Sequence, residues 1–222
     1  MTNDVMAKNY MALYERHIIR YVFGGWLQPL NDKNKAIFLN NYAENRNNAT
    51  IKEGIRTATA NNLAGDCVCT IKSFLDNLVG VDNQTSTMRK PCPDISIQDM
   101  LKTECVDVST DLNNILIFEF MAYADYSHCG IYMGKINGQR MVAEVTQRWD
   151  NGLQLISMDR EERKGMWKYH GKLWNFMNYT YKGDTLFDDV NPAPVDTKKQ
   201  LQTCVKEMQA LCTKMNKIIN TL

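Results

Sequence analysis

The chain has 222 residues, enough for one sizeable domain and an appendage. Hydrophobic residues make up 44% and charged residues 23%, and the formal net charge of +1 supplies no global basic field for nucleic acid. No apolar run approaches the roughly twenty residues that span a membrane, and the start Met1-Thr2-Asn3-Asp4-Val5-Met6 lacks the apolar core of a secretory signal.

In chain order, residues 4–21 are predicted to form an amphipathic helix, because Met6, Tyr10, Leu13, Tyr14, His17 and Tyr21 recur at helical spacing. Gly24-Gly25 ends it. Lys35–Glu44 and Ile51–Leu63 are further predicted helices, the second closed by Gly65. A helix following Cys67 carries Ile71, Phe74, Leu75 and Leu78 on one face and stops at Gly80. Residues 81–96 read as loop, with Pro91, Pro93 and several Ser, Thr and Asn.

The pattern then changes to short runs rich in β-branched and aromatic residues. Strands are predicted at Ile115–Met121, Gly130–Met133, Met141–Val145 and Leu153–Ile156. Asn137-Gly138 and Asn151-Gly152 are hairpin turn signals, so an antiparallel meander follows. Helices first and an antiparallel sheet second make an α+β domain over residues 1–183. Residues 184–200 read as a linker. The tail 201–222 reads as a helix whose Leu201, Cys204, Met208, Leu211, Met215, Ile218 and Leu222 form a heptad seam, to be buried by self-association or by docking on the body. Three heptads are marginal alone, which favours a homo-oligomer joined through this helix.

Seven cysteines (Cys67, Cys69, Cys92, Cys105, Cys129, Cys204 and Cys212) are an odd number in a chain of this size, which fits reduced thiols better than a disulfide framework. Cys67-Val68-Cys69 has no second cysteine or histidine pair at zinc-finger spacing, so no metal site is expected. Cys67 stands where a turn feeds a helix. Unpaired N–H groups and the helix dipole favour a thiolate there. His128 opens a predicted strand, and Glu144 lies on the next strand of the hairpin. A cysteine nucleophile needs a base, a group that orients the base, and oxyanion donors. Cys67, His128 and Glu144 can fill the first three roles, and the Cys67 backbone N–H is one donor. Cys69 competes as nucleophile. Two residues apart on a helix, the two thiols point to different sides, which turns Cys69 towards the core.

Gly65-Asp66-Cys67, His128-Cys129-Gly130-Ile131-Tyr132-Met133-Gly134 and Val142-Ala143-Glu144 together resemble the NlpC-type papain-like cysteine peptidases of bacterial cell-wall turnover. Tyr21-Val22-Phe23-Gly24-Gly25 is similar to the family's aromatic and double-glycine motif. Trp167-Lys168-Tyr169-His170-Gly171-Lys172-Leu173 is similar to a closing segment of a phage and clostridial subgroup. The resemblance spans roughly residues 5–180 and keeps the motif order. It implies a papain-like fold, with Cys67 as nucleophile, His128 as base and Glu144 in the third polar position. It also implies substrate-binding roles for Tyr21, lining the cleft, and for Asp66, holding the substrate's amine end. The implied reaction is cleavage of a peptide or amide bond of the peptidoglycan stem peptide through an acyl-enzyme, without cofactor or metal. The implied setting is an endolysin-like phage or prophage enzyme made in the bacterial cytoplasm and released to the wall. The chain departs from the family where Val68-Cys69 replaces Ser-Gly and where about forty residues separate Gly25 from Asp66. These departures motivate two rival readings: a wall-binding or assembly module with a degraded site, and a papain-like acyltransferase. His170 is expected to be structural.

Overall fold

Helix α1 (Asn3–Arg16) places Ala7, Tyr10 and Leu13 on one buried face. It is shorter than the predicted helix. At His17 the backbone turns extended, and the β-branched pair Ile18-Ile19 leads into strand β1 (Ile19–Tyr21). The computed structural model describes residues 1–186 except Ser86, Lys90, Pro91, Pro93 and 148–151. The predicted tail helix, and the linker from residue 187 on, lie outside the described residues. The first linker residues bind the body: the Lys135 N–H donates to the Asp184 carbonyl, and the two side chains form an ion pair at 2.6 Å.

Strand β2 (Trp26–Pro29) follows the Gly24-Gly25 turn. Strand β3 (Leu63–Gly65) runs between β1, to which it is parallel, and β2, to which it is antiparallel. Between β2 and β3 lie α2 (Asp32–Asn41), α3 (Ala43–Asn47) and α4 (Ala49–Thr57). The predicted helix at 35–44 is broken by extended backbone at Tyr42. The one predicted at 51–63 ends at Thr57, because Asn62 accepts the Thr59 N–H in a turn that delivers Leu63 to the sheet. The Asn31 and Asn48 side chains cap α2 and α4 by accepting N–H groups three residues on.

Helix α5 (Cys67–Leu75) starts one residue past β3. The short helix α6 (Ile97–Asp99), continued by a π-helical turn over Met100–Glu104, and the edge strand β4 (Val106–Ser109) were not predicted from the pattern, nor were the three strands of the first sheet.

The second sheet is antiparallel in the order β4-β9-β5-β6-β7-β8. Its strands β5 (Phe120–Tyr123), β6 (Cys129–Ile136), β7 (Gln139–Thr146) and β8 (Gly152–Ser157) form the predicted meander. Asn137 and Gly138 both have positive φ, as a two-residue type I′ hairpin requires. Strand β5 begins later than predicted, since Ile115–Glu119 are taken up by a turn with Phe118 at φ 67°. Strand β9 (Trp167–Lys172), not predicted as a strand, inserts between β4 and β5.

One face of this sheet, through Cys129, Ile131, Met133, Ala143 and Val145, packs with Tyr10 and Leu13 of α1 and Ile71 of α5. The other face carries Tyr123, Tyr132, Val142 and Trp167. The fold is α+β. Among the described residues, no helix is long and apolar enough to cross a membrane.

Candidate active site

Asp66 is the N-cap of α5. Its Oδ1 accepts the Cys69 N–H at 2.6 Å, and its Oδ2 accepts the Gly24 N–H at 3.1 Å. The Asp66 N–H in turn donates to the Gly25 carbonyl at 3.1 Å. One buried carboxyl therefore joins the helix start to the double-glycine turn. Burial, then the neighbouring Cys67 charge, raise its pKa to about 7 against the pull of these N–H groups. Both oxygens are committed to backbone. Gly65, just before, has no room for a side chain: a Cβ there would stand 2.4 Å from Thr70 Oγ1 and 2.9 Å from Ile19 Cγ2.

This junction sets Cys67 in the first turn of α5, partly accessible, while Cys69 is buried. The Cys67 thiol is held well below the ordinary thiol range. The hydrogen bond from the Cys129 thiol contributes most, burial opposes it, and the hydrogen bond and charge of His128 add to the lowering. Burial, followed by the Asp66 charge, pushes the Cys69 thiol well above that range. The structure therefore separates the two competing sulfurs: Cys67, beside Cys129 and His128, is pushed towards the thiolate, and Cys69, buried behind Asp66, towards the protonated thiol.

His128 immediately precedes β6, and its carbonyl accepts the Tyr123 N–H at 3.0 Å, which closes the β5–β6 turn. The β6–β7 register, with Ile131 opposite Ala143, puts Gly130 opposite Glu144 and His128 diagonal to it on the same face. His128 Nε2 and Glu144 Oε2 are 2.5 Å apart, leaving Nδ1 for the Cys67 sulfur. Burial pulls the His128 pKa down. The hydrogen bonds to Cys67 and Glu144 and their negative charge outweigh it and push the ring up to about 9. These contacts favour a thiolate at Cys67 facing an imidazolium at His128. Gly130 makes the crossing possible, because a Cβ there would stand 2.6 Å from Val142 Cγ1 and 3.2 Å from Trp167 Cη2.

The structure brings Cys67, His128 and Glu144 together. Tyr21 joins them, since it pairs with Gly65 in the first sheet, and its hydroxyl is made less acidic by burial and then by the Cys67 charge. Asp66 supports the helix start from within. His170 lies apart, buried, in contact with Glu119 through Nδ1 and with the Asp111 carbonyl through Nε2 at 3.1 Å. Among the described residues, no group of three His, Cys, Asp or Glu side chains is arranged to hold a metal ion.

Two participants were not picked out from the sequence. Cys129 stands in the sequence as part of the histidine motif, but alternation along the strand turns it to the opposite face from Gly130 and towards α5. Arg163 lies in Glu161-Glu162-Arg163-Lys164, which has the look of a solvated charge run. Its side chain is nevertheless only 2% exposed, and it pairs with Glu144. Nothing in the local pattern signals this.

Comparison with protein-family models finds no match for this chain, and comparison with curated proteins finds none either.

Proposed function

We propose that this chain is a cysteine hydrolase of the peptidoglycan stem peptide with an NlpC-type papain-like fold, acting as an endolysin-like phage or prophage enzyme. The observation that carries this reading is the Cys67–His128–Glu144 arrangement, in which the thiolate sits at a helix start and the protonated ring is anchored by a buried carboxylate. The motif resemblance supplies the substrate class.

In this reading the Cys67 thiolate attacks the carbonyl carbon of a stem-peptide amide. The oxyanion is received by backbone N–H groups at the start of α5, that of Cys67 among them. His128 gives its proton to the leaving amine, and the acyl-enzyme remains. His128, now neutral, takes a proton from water, whose oxygen attacks the acyl carbon and releases the acid. Glu144 keeps the ring in one orientation and stabilises its charge. Asp66 acts through the backbone it holds, and Tyr21 lines the approach to the sulfur.

The test is lysis of purified cell walls followed by turbidity. The parent and Cys69→Ser should clear the suspension, while Cys67→Ala should fall to background, a loss of at least about a thousandfold. Equal clearing by Cys67→Ala would remove the enzymatic reading. Mass spectrometry of the released fragments separates hydrolysis, with new amine and carboxyl ends, from acyl transfer.

A further inference from the structure

The Glu144 carboxylate has two oxygens with separate partners. Oε2 faces His128 Nε2, and Oε1 accepts from Arg163 Nη2; both side chains of this second pair are within 2% of full burial. The other end of the guanidinium, Nη1, donates to the Tyr123 hydroxyl. The Tyr123 ring lies 5.1 Å from the His128 ring and 4.7 Å from the Trp167 ring. The Arg163 guanidinium carbon is 5.9 Å from the Tyr123 ring centre and 6.0 Å from that of Trp167, which is also 6.0 Å from the His128 ring. Arg163 and His128 thus share one carboxylate and two aromatic rings.

We propose that Arg163 is a positioning residue of the Cys67–His128–Glu144 site, clamping Glu144 and Tyr123 so that the His128 ring stays turned towards the Cys67 sulfur. This rests on the nucleophile and base assigned above. A carboxylate held by a single partner rotates about its terminal torsion. Held at both oxygens it does not, and the direction of Oε2 fixes the plane of the imidazole that bonds to it. The planar guanidinium suits this role because its rigid fork reaches two acceptors at once, which an ammonium group at the same place does not. Its positive charge also lies next to the buried Glu144 carboxylate.

The experiment follows alkylation of Cys67 by iodoacetamide against pH, in the full chain, with mass spectrometry to locate the adduct. It needs no wall substrate, so failure of the hydrolase reading leaves it readable. Arg163→Met should raise the pH midpoint of alkylation by about one unit, a tenfold loss of thiolate on the acid side. Arg163→Lys should raise it less, and it carries the comparison if the methionine variant does not fold. In a Glu144→Gln background, Arg163→Met should add a smaller shift than in the parent, because its route through the carboxylate is already gone and only the Tyr123 contact remains. An unchanged midpoint in the Arg163 variants overturns the proposal, even if they are less stable. A full additional shift in the Glu144→Gln background also overturns it.

Discussion

Cys67 and Cys69 carry the same side chain and differ by two residues, a little over half a helical turn, yet the fold gives them opposite acidities. One sulfur faces Cys129 and His128; the other is buried behind the Asp66 carboxylate. The pH behaviour follows from these shifts. Thiolate and imidazolium coexist from the depressed Cys67 pKa up to about 9, where His128 loses its proton. Hydrolysis should therefore fall above about pH 9, as the proton needed by the leaving amine disappears; a pH profile of kcat/KM checks this. Cys129 contributes the largest lowering, so Cys129→Ala should shift the alkylation midpoint of Cys67 upward by about one unit, and Cys129→Ser, which keeps a donor, should restore much of it. At this scale the placing of Cys67 was legible because a helix start is a local signal. The role of Cys129 was not, because it depends on which strand face meets α5.

The β6–β7 hairpin is the element that assembles the site. Its Asn137-Gly138 turn and its β-branched runs are local, and they were readable with the register they imply. Strand β9 was not readable. Trp167 and His170 are both buried, on a strand with neighbours on both sides, so no clean alternation marks it. The partners that bury them come from far along the chain: Tyr123 and His128 for Trp167, Glu119 and Asp111 for His170. Gly130 ties the hairpin to this strand through the space it leaves for Trp167. Gly130→Ala should destabilise the protein by about 1–3 kcal/mol, because Val142 and the Ala143 carbonyl stand closer to the new methyl than van der Waals contact allows. A lowered urea midpoint with an unchanged slope would record it; an unchanged midpoint would mean the strands separate at little cost.

Across the whole molecule, the first and last described segments are stitched together. Asn3 donates to the Ile117 and Tyr181 carbonyls at 3.0 and 3.2 Å and accepts the Tyr181 N–H at 3.1 Å, so the chain start and the segment after β9 are held at one side of the second sheet. Beyond this body the heptad seam at 201–222 predicts association. Deleting residues 198–222 should lower the mass seen by light scattering to that of one chain, and joined copies should bind a polymeric wall more tightly than the truncated form. A single-chain mass before deletion would favour a docked tail instead.

The sequence by itself determined the α+β class, the meander, and the placing of Cys67 at a helix start, His128 just before a strand and Glu144 on the next strand. All of these are written in spacings of a few residues, the range over which backbone geometry acts. Only the tertiary structure decided that Cys129 faces Cys67, that Asp66 spends both oxygens on backbone, that β9 lies inside the sheet, and that Arg163 leaves its charged neighbours to pair with Glu144. Each of these depends on burial and on partners from distant segments. The free energy of a buried charge or a packed ring is set by what surrounds it in space, not by what adjoins it in the chain.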